Sequence, residues 1–285
     1  MGGSTNVPLA NRMDTWLRIV PALMRHLHVD HFHCFAHSAG TAYLLNTLYD
    51  QRGGLLNSKP TYVALMAPWV HNEHSEAALM TWASKLPCGM LDSWSGLMKF
   101  INNQVAPSIS WSGGAISSVS SIFQPTSTQD QSDASDSAMA KLLGTTDEIA
   151  KGAEKLQGNY YFAEDTTAAN EDAKLCLKMG GQQLWGTCED YPEFFRLLVE
   201  KEKERKQANP NNPGLTFRTF YAGSDIMIGK GGQKYFEDCW SQEGMPGPID
   251  YKSIELSERN HETVMIHGDG SALPSIFADI ARLSQ

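Results

Sequence analysis

A chain of 285 residues with 41% hydrophobic and 19% charged residues is long and apolar enough for one large core, or for a core interrupted by an insert. Its net charge of −9 argues against a nucleic-acid surface, which needs a basic patch, and no uninterrupted apolar run approaches the length that spans a bilayer. Five scattered cysteines (Cys34, Cys88, Cys176, Cys188, Cys239) form no CxxC pair, and no signal-peptide pattern opens the chain, so reduced thiols in a cytoplasmic protein are expected.

Residues 1–11 are polar and Gly-rich and read as a loop. Met13, Trp16, Leu17, Val20, Leu23, Met24 and Leu27 then mark one face of an amphipathic helix, in which Pro21 predicts a kink or a split. The apolar run Phe32–Ala36 predicts a buried strand. It stops at Ser38, and Leu44, Leu45 and Leu48 continue at helical spacing. Arg52-Gly53-Gly54 ends that helix, and Thr61–Ala67, closed by Pro68, reads as a second strand running parallel to the first.

Residues 70–105 carry Met- and Trp-rich helical patterns, among them Leu79, Met80, Trp82, Met90, Trp94 and Met98. Residues 107–138 are rich in Ser, Thr and Gln and read as a mobile loop. Helices are expected over Lys141–Leu156 and Asp190–Gln207, and a loop over Asn209–Gly214. Leu215–Ala222 restores strand alternation and delivers Asp225. Gly229–Gly232 reads as a loop, Gln233–Trp240 as a short helix and Tyr251–Leu256 as the last strand. His261 follows, and a closing helix carries Leu273, Ile276, Phe277, Ile280 and Leu283. The expected division is a first core part at 1–69, a helical cap at 70–213 and a second core part at 214–285.

Ser38 thus sits on a sharp strand-to-helix turn between small residues, Ala36-His37-Ser38-Ala39-Gly40. Larger side chains two positions either side would collide across such a turn. The helix start leaves N–H groups, beginning with that of Ala39, free to face a developing negative charge. A serine hydroxyl needs an imidazole to take its proton, and the imidazole needs a carboxylate to fix its tautomer. Asp225 and His261, each just past a strand, supply both in the order nucleophile, acid, base. Asp238 and His267 are the competing acid and base.

His37 and His71 are expected beside Ala39 as oxyanion or substrate contacts, His71 and His74 lying just past the second strand. The histidines at 26, 28, 31, 33 and 37 include a same-face pair, His31 and His33, but no third ligand at regular spacing. No metal and no cofactor are expected.

On these residues the chain resembles the α/β-hydrolase fold, specifically members with a Ser-His-Asp triad and a helical cap: an α/β protein with a mainly parallel sheet, flanking helices and an inserted cap. The resemblance implies Ser38 as nucleophile, His261 as general base, Asp225 as its orienting acid and a small hydrophobic acyl substrate. It further implies an N-terminally truncated member. Met1-Gly2-Gly3-Ser4-Thr5 looks like the tail of the family's Asp-x-Pro-Gly-x-Gly-x-Ser loop, so the strands before it, and the loop giving a second oxyanion donor, would be lacking. One lost donor costs about 10²–10³ in turnover. The alternative expectation is therefore a non-catalytic relative that binds a hydrophobic ligand or a partner.

Overall fold

The computed structural model describes residues 4–77, 167–179, 183–266 and 270–283, with a few isolated positions between 144 and 181. The Met- and Trp-rich patterns of 79–100, the stretch 107–138, half of the helix expected at 141–156, Cys88 and His267 lie outside the described residues.

Four strands form one parallel sheet in the order β1 (Cys34–His37), β2 (Thr61–Met66), β3 (Leu215–Ala222), β4 (Ile249–Leu256). Helix α1 (Arg12–His26) precedes β1 and α2 (Gly40–Gln51) follows it. Between β2 and β3 come α3 (Asn72–Ser75), α4 (Thr167–Cys176) and α5 (Tyr191–Ala208). Helix α6 (Gly229–Cys239) joins β3 to β4, and α7 (Thr263–Ile266) and α8 (Ala272–Leu283) close the chain. Because every strand runs the same way, the residues just past their carboxyl ends share one rim.

The central strands β2 and β3 are buried along almost their whole length, as sheet strands covered on both faces must be. Helix α5, capped by Asp190, whose carboxylate accepts from Glu193 N at 2.8 Å, brings Phe194, Phe195 and Leu198 fully inside. Phe195 packs edge-on to Phe217 of β3 and Phe236 of α6, and Trp240 stacks on Tyr251 of β4 at 4.2 Å. Of the segment read as a cap, α5 is therefore a wall of the core. On the last helix, Asp279 accepts from the Tyr62 hydroxyl of β2 at 3.0 Å.

The amino-terminal rim is held by charge. Arg52, at the end of α2, is fully buried and grips Glu202 of α5 through two hydrogen bonds, Nε–Oε1 at 2.7 Å and Nη2–Oε2 at 3.0 Å. It also donates to the carbonyls of Leu56 and Pro213 and to Thr61 Oγ1. Arg205 adds two more donors to Glu202.

Two expectations are corrected. Helix α1 runs as one element through Pro21, so the expected split does not occur. Its apolar stripe is only partly covered: Met13 and Val20 are buried, whereas Trp16, Leu23 and Leu27 are 39%, 46% and 54% exposed. They flank β1, which is an edge strand among the described residues. Gly229–Gly232 is the first turn of α6 and not a loop. A side chain on Gly231 or Gly232 would collide with Glu76 or Val70, so these glycines admit a close approach of α6 to the β2–α3 segment, and packing outweighs their weak helix propensity. No helix among the described residues is long and apolar enough to cross a membrane.

Candidate active site

The turn after β1 holds Ser38 at φ 51°, a left-handed conformation that costs a non-glycine residue energy and is kept where the surroundings enforce it. The enforcement is visible. Ser38 N donates to Met66 O at 3.0 Å, anchoring the turn to β2. The Ser38 carbonyl accepts from both Thr41 N at 2.9 Å and Thr41 Oγ1 at 2.7 Å, and Thr41 Oγ1 accepts in turn from Trp69 N at 2.9 Å. A Cβ on Gly40 would stand 3.1 Å from that of Ala36, which is why both positions are small. Ala39 is the N-cap of α2. Its N–H has no intrahelical acceptor, and no backbone partner takes it among the described residues.

Asp225 follows β3 by the turn Gly223-Ser224. Gly223 lies so close to the next loop that a Cβ would fall 2.3 Å from Ser257 O. Glycine here lets the acid turn and the base loop touch. Ser224 N and Oγ both donate to Arg259 O, at 3.1 and 3.0 Å, stitching the two segments together. The base loop is further fixed by Asn260, whose Oδ1 accepts from the N–H groups of Glu262 and Thr263.

These constraints bring three side chains into line. Asp225 Oδ2 lies 2.9 Å from His261 Nδ1, and His261 Nε2 lies 2.8 Å from Ser38 Oγ. A carboxylate only accepts, so Nδ1 carries the proton and Nε2 presents its lone pair to the hydroxyl. Asp225 Oδ1 accepts from Met227 N at 2.9 Å and Ile228 N at 2.8 Å. The His261 and Asp225 side chains are each 6% exposed. Burial alone would raise the Asp225 carboxyl. The hydrogen bond and charge of His261, with the two N–H donors, outweigh it and hold the group below its ordinary value.

His37 turns its ring toward His261, centroids 4.9 Å apart, and its Nε2 lies 2.7 Å from the His261 carbonyl oxygen. His71 faces Glu73 at 3.5 Å and Trp185, and His74 stacks on Tyr235. No hydrogen bond joins either to Ser38 or His261 among the described residues. Asp238 pairs with Lys234 on the exposed face of α6. His33 Nδ1 is taken by the Tyr62 N–H at 3.1 Å, and no group of three metal-ligating side chains gathers among the described residues. Cys34, Cys176, Cys188 and Cys239 are buried and unpaired; burial pushes the thiols of Cys34, Cys176 and Cys239 up to about 12, which leaves them poor nucleophiles.

A groove of about 650 Å³ runs between α1, the β1 edge and α2, lined by Trp16, Leu23, Phe32, Phe35, Tyr43 and Leu44 among others. It meets the elbow at Ala36 and Gly40, and no member of the Ser38–His261–Asp225 line borders it. Thr41 and Trp69, which brace the turn, carried no signal in the sequence beyond an ordinary first helical turn and a residue after Pro68.

No family model matches the chain, and no curated protein matches it. Solved structures that resemble it include an esterase from Rhodococcus sp. ECU1013, 11% identical, covering 100% of this chain and 77% of that one with a TM-score of 0.49. A serine hydrolase from the hydrocarbon-degrading bacterium Cycloclasticus zankles is 11% identical over 100% of this chain and 72% of its own, TM-score 0.43. An epoxide hydrolase of the alpha/beta hydrolases superfamily, from metagenomes of hot environments, is 12% identical over 99% and 78%, TM-score 0.45. What this chain shows by its own geometry is a sheet of parallel strands, a tight turn holding Ser38 after β1, and Asp225 and His261 in the loops after β3 and β4.

Proposed function

We propose that the protein is a serine hydrolase acting on an ester, thioester or related acyl compound. The observation that carries this reading is the unbroken hydrogen-bonded line from Asp225 through His261 to Ser38 at 2.9 and 2.8 Å. Ser38 Oγ attacks the carbonyl carbon while its proton passes to His261 Nε2, and the carbonyl π electrons move onto oxygen. The Ala39 N–H, which has no backbone partner among the described residues, faces that oxyanion. Asp225 stabilises the imidazolium without taking its proton. Collapse of the intermediate expels the leaving group, which receives the proton from His261 Nε2, and leaves Ser38 acylated. Water, deprotonated by the same nitrogen, then releases the acid and restores the hydroxyl.

The Met- and Trp-rich sequence between β2 and β3 favours an apolar acyl group. No cofactor is called for.

A fluorophosphonate probe, together with p-nitrophenyl esters of graded chain length, tests the assignment. The probe is expected to label the protein, and Ser38→Ala to abolish both labelling and turnover. Labelling that survives undiminished in that variant sinks the reading. Absence of labelling and turnover in the wild type, with a hydrophobic ligand still bound, favours a non-catalytic binding protein.

A further inference from the structure

The side chain that touches the triad without belonging to it is His37. It is the last residue of β1, next to the nucleophile, and its Nε2 lies 2.7 Å from the backbone oxygen of His261, 224 positions away in the chain. A carbonyl oxygen only accepts, so Nε2 carries a hydrogen there. The nucleophile strand and the base loop are thus joined twice. One link is the Ser38–His261 bond, which breaks and re-forms as the proton moves; the other runs from the His37 side chain to the His261 backbone and takes no part in proton transfer.

The second link matters because of what else holds the base loop. Ser224 ties it to the acid turn and Asn260 folds it upon itself. The first fixes the loop relative to Asp225 and the second shapes the loop itself, whereas the His37 bond ties it to β1.

We propose that His37 is a positioning residue: its Nε2–H, donated to the His261 carbonyl, holds the base at hydrogen-bonding distance from the nucleophile, and it does so in the uncharged state. This rests on reading Ser38, His261 and Asp225 as a triad. The uncharged state follows from the surroundings. The ring packs 4.9 Å from that of His261, which must become an imidazolium during the reaction, and a second positive charge there would oppose proton uptake. The hydrogen bond to the His261 carbonyl and the charges of Glu262 and Asp225 pull the other way, but burial, first, and the His261 ring charge outweigh them and keep the His37 imidazole less basic than an ordinary histidine.

The test compares His37→Phe, which keeps a ring and loses the donor, with His37→Gln, whose amide can still donate to the carbonyl. His37→Phe is expected to lower kcat on a p-nitrophenyl ester by about 10–100-fold, the scale of a misplaced catalytic group, with KM unchanged and the rate of fluorophosphonate labelling falling in parallel. His37→Gln is expected to recover most of the loss. The acid limb of kcat/KM should be steeper in the wild type, where protonating either histidine is harmful, than in His37→Gln. If His37→Phe does not fold, His37→Asn, whose shorter amide falls short of the carbonyl, takes its place. Wild-type kcat and pH profile in His37→Phe overturn the proposal, as does an equal loss in His37→Gln. A wild type with no Ser38-dependent labelling overturns the triad reading and this proposal together; intact labelling with an indifferent His37 overturns the proposal alone.

Discussion

At the amino-terminal ends of β2 and β3 the Arg52 guanidinium meets the Glu202 carboxylate; at the carboxyl ends the Asp225 carboxylate meets the His261 ring. Both are buried acid–base pairs joined by short hydrogen bonds. Around Arg52 the donors end on Glu202, on two carbonyls or on Thr61. Around His261 one lone pair is aimed at the hydroxyl of a serine held in a left-handed turn. A closed network fixes three segments and does no chemistry, whereas an open one has a group left over for a substrate.

Replacing members at either pole separates the two. The largest effect is expected from Asp225→Asn, which loses the acceptor that sets the His261 tautomer. Turnover on p-nitrophenyl esters should fall by about 10⁴. The ionised carboxylate, held below its usual value, stabilises the fold above about pH 4 and ceases to do so as pH drops through its lowered folded value. The difference in Tm between wild type and Asp225→Asn should therefore be present at pH 7 and fade in acid.

Next comes Glu202→Leu, which leaves Arg52 buried without a counter-ion and should destabilise by about 3–5 kcal/mol in urea unfolding, while kcat per folded molecule stays at the wild-type value. Arg52→Met should cost less, because Arg205 still donates to Glu202. A double replacement with apolar residues should recover part of the single loss. A large fall in kcat from either single change would break the division between the poles. The smallest effect is expected at Ser38→Gly: activity is lost, but relief of the positive φ raises stability by up to about 1 kcal/mol, read as a higher Tm.

What the sequence made legible follows from the range of each interaction. The turn at Ser38 was readable because its signals are local, a strand pattern giving way to a helical one across Ala36–Gly40. That Asp225 and His261 lie in the loops after strands was readable because the strand patterns before them are local. Periodicity showed that α1 has an apolar face but not whether that face has a partner, and Trp16, Leu23 and Leu27 on it are exposed. Gly229–Gly232 misled because glycine marks a loop and a close helix contact alike. The pairing of Arg52 with Glu202, and the bond from His37 to the His261 backbone, join residues 150 and 224 positions apart. Nothing in the spacing of a single chain reports such meetings.

The link between the Tyr62 hydroxyl and Asp279 bears on how the molecule comes into being. Tyr62 leaves the ribosome 217 residues ahead of Asp279, so this face of the sheet stays unsealed while all of the chain between them is made. Ser38 likewise emerges long before His261. A nascent chain would carry the Ser38 hydroxyl through the 223 residues of synthesis that separate it from His261 with no ring to meet it.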